Sequence, residues 1–204
     1  GFESQPRNIN RLKKATHLTA TPEGYGAIGP LDWLAFNTKE GPTSHVKVRQ
    51  AIAHAVDKNF ILKAIMFDTA VEANTGIHPD SPFYNGNVET YPLDLDKSNA
   101  LLDEAGFPKD SDGIRFGLTI DFGWPGVKPQ VEYVRAALKK VGIDVTVRTS
   151  ADFPTWAKKM GTMDFQMSWD TVFNWGDPVI GVHRTYLTSN IAKGVWSNTQ
   201  GYSN

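Results

Sequence analysis

Apolar and polar residues change period several times along this chain, and each change marks an element. Leu31-Asp32-Trp33-Leu34-Ala35-Phe36-Asn37 is mostly apolar and short, which predicts a buried strand closed by the polar turn of residues 38–42. Val48, Ala51, Ile52, Ala55 and Val56 then recur at three- and four-residue spacing, the period of a helix, with Thr43 or Ser44 as its cap. Asp57 caps a second short helix carrying Phe60, Ile61, Ala64 and Ile65. Asp96 is the expected cap of a third helix, which holds Ala100, Leu101, Leu102 and Ala105 and stops at Gly106 with Pro108 beyond. A β-α-β series follows. Residues 114–120 alternate as a strand, residues 129–141 place Val131, Val134, Ala137, Leu138 and Val141 on one helical face, and residues 143–148 alternate again. Asp152 caps a short helix with Trp156 and Met160, and residues 165–169 form a further alternating strand.

Other stretches carry weaker patterns. Residues 16–21 favour β structure and stop at Pro22-Glu23-Gly24, and residues 25–30 read as Gly-rich loop. Residues 69–92 hold Pro79, Pro82 and Pro92 with an Asn85-Gly86-Asn87 turn. A segment so long and irregular, yet supplied with Ile77, Phe83, Tyr84 and Tyr91, is expected to wrap over other elements. Residues 179–187 read as a helix and residues 194–204 as loop. Alternating strands and helices define an α/β fold with a mixed sheet flanked by helices.

The densest chemistry lies at 164–178, DFQMSWDTVFNWGDP. The strand breaks there into a predicted loop where Trp169, Asp170, Phe173, Asn174, Trp175 and Asp177 crowd together. Rings supply apolar walls and the carboxylates or the amide orient a polar ligand, so this strand exit is the candidate ligand pocket. Trp33 and Trp156 are further candidates, although an apolar strand and a helix face shared with Met160 both suit core side chains. Arg49 is expected to be a structural ion-pair partner.

Composition narrows the function without naming it. The 204 residues carry 40% hydrophobic and 21% charged positions, with 21 basic against 22 acidic side chains and a net charge of -1. No basic stripe marks a nucleic-acid surface, and no apolar run reaches the 18 or so residues of a membrane span. The N-terminal residues GFESQPRNIN lack the apolar core of a secretory signal. Cysteine is absent, which removes thiolate nucleophiles and thiolate metal ligands. His17, His45, His54, His78 and His183 are dispersed without metal-binding spacing, and no GxSxG elbow, P-loop or GxGxxG occurs. Gly24-Tyr25-Gly26 is only a partial match to the last of these, and the pairs Asp103/Glu104 and Asp110/Asp112 suit solvated positions. No catalytic constellation is encoded, and no cofactor is expected.

Three stretches in order resemble one family. Leu34-Ala35-Phe36-Asn37-Thr38 followed by VKVRQAIAHAVDK looks like a strand ending in FNT and then VRQAIxxAxDK. DLDKSNALLDEAG is similar to a helix ending in LLxEAG, and VGIDVTVRTSADFPTW, then MDFQMSW and Asp177-Pro178, resembles the strands and ligand loop of a C-terminal lobe. Together they resemble the extracytoplasmic solute-binding proteins of peptide-type ABC importers, the dipeptide- and oligopeptide-binding proteins of bacterial extracellular solute-binding family 5. The resemblance spans roughly residues 12–204.

The resemblance implies one lobe of a two-lobed, type II periplasmic-binding-protein fold. Residues 1–30 would lead in from the preceding lobe, and residues 31–204 would form the C-terminal ligand-binding lobe, truncated at its end. It further implies a monomeric periplasmic protein, or a lipid-anchored extracytoplasmic one. That protein would capture a small peptide and deliver it to an ABC permease, without catalysis. Counting back from Pro178 puts Asn174 where the family's amine-anchoring aspartate usually sits, with Asp170 and Asp177 nearby. An amide there offers a hydrogen bond in place of a charge, which leaves room for an oligosaccharide, an opine or another polar solute. A ligand-presenting receptor for a sensor is the reading from a different class.

Overall fold

The computed structural model describes residues 6–21, 23–24, 28–191, 194 and 197–203. The loop expected at 25–30, with the Gly24-Tyr25-Gly26 match, and the loop expected at 194–204 therefore fall partly outside the described residues. The described part holds a four-stranded mixed sheet of β1 (Pro30–Phe36), β2 (Phe116–Phe122), β3 (Ile143–Thr149) and β4 (Met167–Phe173). Its order is β1-β4-β2-β3, with β2 parallel to both β3 and β4, and β1 antiparallel to β4. Among the described residues five α-helices of seven or more residues accompany it: α1 (Pro6–Leu12), α2 (Val46–Ala55), α3 (Leu95–Glu104), α4 (Lys128–Lys139) and α5 (Phe153–Gly161). No helix among the described residues is long and apolar enough to cross a membrane.

The two crossovers explain the layering. β2-α4-β3 steps to one side of β2, whereas β3-α5-β4 steps back past it to the other side. Right-handed crossovers in opposite directions put their helices on opposite faces. On one face Leu118, Ile120, Phe122, Ile143, Val145, Met167 and Trp169 meet the apolar sides of α2, α3 and α4. On the other, Ala35 meets Trp156 and Met160 of α5. In the first layer α2 and α3 approach closely at small residues, and the Ser98 hydroxyl donates to the Ala51 carbonyl at 2.8 Å. Burying one such Leu or Val side chain is worth about 1.5–3 kcal/mol, and Leu102, Val134 and Leu138 are wholly buried.

Several boundaries differ from the pattern-based expectation, each for a local reason. The α2 cap is His45, with no side-chain bond, because Thr43 donates to the Asn37 carbonyl and Ser44 to the Gly41 carbonyl in a 3-10 turn. Arg49 has a different task from the expected ion pair, since its guanidinium donates to the carbonyls of Thr43 and Ser44 at 2.7 and 2.9 Å. Asp57 does cap, but only a single turn (Lys58–Phe60), which runs into a π-helical turn (Ile61–Ile65). Asp94, not Asp96, caps α3 through the Lys97 N–H. The end of α3 is a Schellman motif, with Phe107 N–H to Leu102 and Gly106 N–H to Asp103, and Gly106 at φ 87° as that motif requires.

β2 starts two residues later than predicted because the Asp110 carboxylate takes the N–H groups of Asp112 and Ile114 in a turn. Residues 16–21 form no strand among the described residues. A β-favouring run needs a partner ladder, and here Leu18 closes a turn on Ala15 and stays 49% exposed. α1 buries no residue.

Two of these differences shape the site. β4 runs to Phe173, so Trp169, Asp170 and Phe173 belong to the strand and not to a loop. Residues 179–187 are stacked turns with a 3-10 turn (His183–Thr185) in place of a helix. Val179, Ile180 and Val182 are β-branched, and Gly181 passes so close to the chain that a Cβ there would meet the Phe173 carbonyl at 2.0 Å.

Candidate functional site

The exit of β4 brings together parts of three distant segments. In the β1–β4 ladder Trp33 lies opposite Asp170 and Leu31 opposite Val172, so these four share the α5 face of the sheet. Leu31 and Val172 pack with Val182 from the turns beyond the strand, and the Trp33 ring meets the edge of Tyr186 at 5.8 Å and 89°. Asp170 carries the strongest electrostatic signature. Burial pushes its carboxyl up to about 7, opposed by the Thr171 N–H and the Trp33 indole beside it and reinforced by the charge of Asp32. The Thr171 N–H reaches the Asp170 Oδ1 at 2.7 Å. The Trp33 Nε1 is buried without an acceptor in hydrogen-bonding geometry. Asp32 points to the other face and accepts from the Thr171 hydroxyl at 2.5 Å.

Past the strand, residues 174–177 turn tightly, with the Asp177 N–H on the Asn174 carbonyl at 3.1 Å. Trp175 sits in this turn at φ 54° and Gly176 at 75°. The left-handed region costs a bulky residue about 1–2 kcal/mol, and such outliers gather at functional sites. The Trp175 ring is 53% exposed and tilts over Phe173 at 5.3 Å. Asp177 accepts the Val179 N–H at 2.8 Å and thereby starts the stacked turns.

Asn174 is 2% exposed. Its Oδ1 accepts the His78 N–H at 2.6 Å and its Nδ2 donates to the Gly76 carbonyl at 3.2 Å. Although Phe83, one of the side chains expected to pack the long 69–92 segment down, stays 58% exposed, that segment is thus fixed to the strand exit at residues 76–78. Between them lies an open cleft of about 390 Å³ lined by Thr75, Gly76, Ile77, Pro178, Val179 and Val182, with His183 and Tyr186 at its side.

Of the eight candidate residues, Trp33, Asp170, Phe173, Asn174, Trp175 and Asp177 gather along the β4 exit. Trp156 and Trp169 lie elsewhere. Trp156 is wholly buried under α5, donates its indole N–H to the Ser168 hydroxyl at 3.0 Å, and presents no surface to a ligand. Trp169 is 6% exposed and belongs to the core on the opposite face. None of the eight lines the cleft itself, whose Gly76, Val182 and Tyr186 the sequence did not single out. The signal for Gly76 and Ile77 was the proline-rich length of their segment, and Tyr186 had none. No group of three or more His, Asp or Glu able to hold a metal ion occurs among the described residues.

Comparison with known proteins places this geometry. The family model described as bacterial extracellular solute-binding proteins, family 5 Middle, matches residues 3–193. The chain belongs to this family. The dipeptide-binding protein of Escherichia coli strain K12 is 33% identical over 145 residues, 71% of this chain and 26% of that protein. The heme-binding protein A of Haemophilus influenzae is 33% identical over 138 residues, 62% of this chain and 24% of that protein. The solved structure of the ABC transporter-associated periplasmic binding protein DppA from Helicobacter pylori, in complex with the peptide STSA, superposes with a TM-score of 0.72. That match covers 83% of this chain and 31% of that one at 24% identity, and carries the fold. This family 5 chain therefore has the architecture of one lobe of a two-lobed periplasmic binding protein, and spans 24–31% of these relatives' lengths.

Proposed function

We propose that residues 31–204 are the ligand-binding lobe of an ABC importer's solute-binding protein, which captures a dipeptide or oligopeptide and hands it to the membrane permease. The observation that carries this reading is the apolar, aromatic-flanked cleft at the exit of β4, in a chain whose family relatives are binding proteins. Parallel α/β sheets bind ligands outside the carboxyl ends of their strands, and the cleft opens beyond the carboxyl end of β4. Trp33 packs behind Tyr186 of the lining, Trp175 and Asp177 lead into Pro178 at its edge, and closure of a second lobe would bury the ligand. The protein acts outside the cytoplasm, as a monomer and without catalysis.

Calorimetric titration tests this reading, with di- to pentapeptides set against hemin, the natural comparator given the Haemophilus relative. A two-lobed protein containing this lobe is expected to bind peptide at least about 100-fold more tightly than the chain alone, a difference of ~3 kcal/mol. Hemin binding without peptide binding rejects the peptide assignment, and equal affinity of lobe and two-lobed protein rejects the clamp.

A further inference from the structure

Both ends of the Asn174 amide are committed to one segment, as acceptor from the His78 N–H at 2.6 Å and donor to the Gly76 carbonyl at 3.2 Å. At neutral pH the amide offers both functions at this position, which a carboxylate does not. A carboxylate would keep the first bond but set a negative oxygen against the Gly76 carbonyl. Asn174 is itself fixed, since its N–H bonds to the Gly29 carbonyl at 3.1 Å. The segment it holds is closely fitted: a Cβ on Gly76 would meet Tyr186 at 2.9 Å and Val182 at 3.0 Å. The lining so formed is dominated by Ile77, Pro178, Val179 and Val182, and its described titratable side chains are His183 and Tyr186 alone. The apolar surface continues onto the exposed side chains of Val179 and Ile180.

We propose that Asn174 is a positioning residue whose amide holds residues 76–78 as one wall of the cleft, and that the ligand group received there is apolar and uncharged. This rests on reading the strand exit as a ligand wall, and it adds the chemistry of what that wall accepts. Asn174 shapes the site from behind the wall and makes no contact with the ligand.

The test uses the chain itself and the neutral fluorophore N-phenyl-1-naphthylamine, titrated at about pH 8 and pH 4.5. Unmodified protein should bind it saturably at one site. Val179→Asp, at an exposed position that leaves folding intact, should weaken binding about tenfold or more. Asn174→Asp should weaken it about tenfold at pH 8 and recover relative to the unmodified protein at pH 4.5, where a protonated carboxyl again donates to the Gly76 carbonyl. Asn174→Ala should be weak at both. Hydrogen exchange at the His78 amide should separate the two variants, staying slow in Asn174→Asp and becoming fast in Asn174→Ala. An unchanged affinity in Val179→Asp overturns the apolar cleft. Unmodified behaviour of Asn174→Asp at pH 8, or weakening that acid does not relieve, overturns the positioning role. A chain that meets these expectations while its two-lobed form ignores peptides sinks the peptide reading alone, and the converse pattern sinks this one alone.

Discussion

Replacing Asp170 by Asn should stabilise the protein, and by an amount that grows with pH. In the folded chain burial holds this carboxyl at about 7, against an ordinary value of 3.8. A carboxyl raised on folding binds more protons in the folded than in the unfolded state between those values, so stability falls as pH climbs from about 4 to about 7 and is level beyond. At about 1.4 kcal/mol for each pH unit the ceiling is ~4 kcal/mol. Asp170 is only half-buried, and solvent screening brings the realised penalty to roughly 2 kcal/mol. Asn keeps an oxygen for the Thr171 N–H and carries no charge to desolvate. Urea unfolding followed by tryptophan fluorescence, at pH 5 and pH 8, gives the double difference, which cancels the titrating groups that do not interact with Asp170. The variant's advantage should be larger at pH 8 by about 1 kcal/mol. An advantage independent of pH, or larger at pH 5, refutes the argument.

Trp156→Phe should lower stability by about 2 kcal/mol, through a cavity beneath α5 and the loss of the indole N–H on Ser168, which keeps only its own bond to the Asp121 carbonyl, while Trp175→Phe, at an exposed ring, should change it by less than about 0.5 kcal/mol in the same assay. Asp121→Asn should cost about 3 kcal/mol by denaturant unfolding, because the wholly buried Asp121 carboxylate joins Arg148 at 2.6 Å and Lys159 at 2.9 Å and its loss leaves both cations underpaired. A cost below about 1 kcal/mol would show that water already solvates those cations.

The fold was legible where period and punctuation agreed. The helical face of Val131, Val134, Ala137 and Leu138, the alternation of 143–148, and Gly106 at the end of α3 all stand as the pattern implied. Caps were harder to read, because Thr43, Ser44 and Asp96 have the right chemistry for a cap but their neighbours decide the geometry. The strand exit misled for a related reason. Asp170 breaks the alternation and Asn174 to Pro178 reads as turn, so the pattern ends the strand at Trp169, yet β1 supplies a full antiparallel ladder that holds Trp169 to Phe173 extended. The crowding of Asp170, Asn174 and Trp175 pointed to the end of β4, next to the candidate cleft, although none of the three lines it. Its far wall did not, since the contact of Gly76 with Asn174 spans 98 residues and leaves no trace in local pattern.

The bond pair at Asn174 separates two jobs that many binding sites combine. The sheet and its helices carry the folding energy, while the 69–92 segment forms a wall moored at residues 76 and 78 and again near Pro92, whose carbonyl meets His54 at 2.8 Å. Between those moorings the exposed turn around Gly86 can lengthen or shorten without disturbing a single core contact of the sheet. Changes of size and selectivity in such a lobe are therefore cheap to evolve: the rim can be re-cut while the foundation stays as it is.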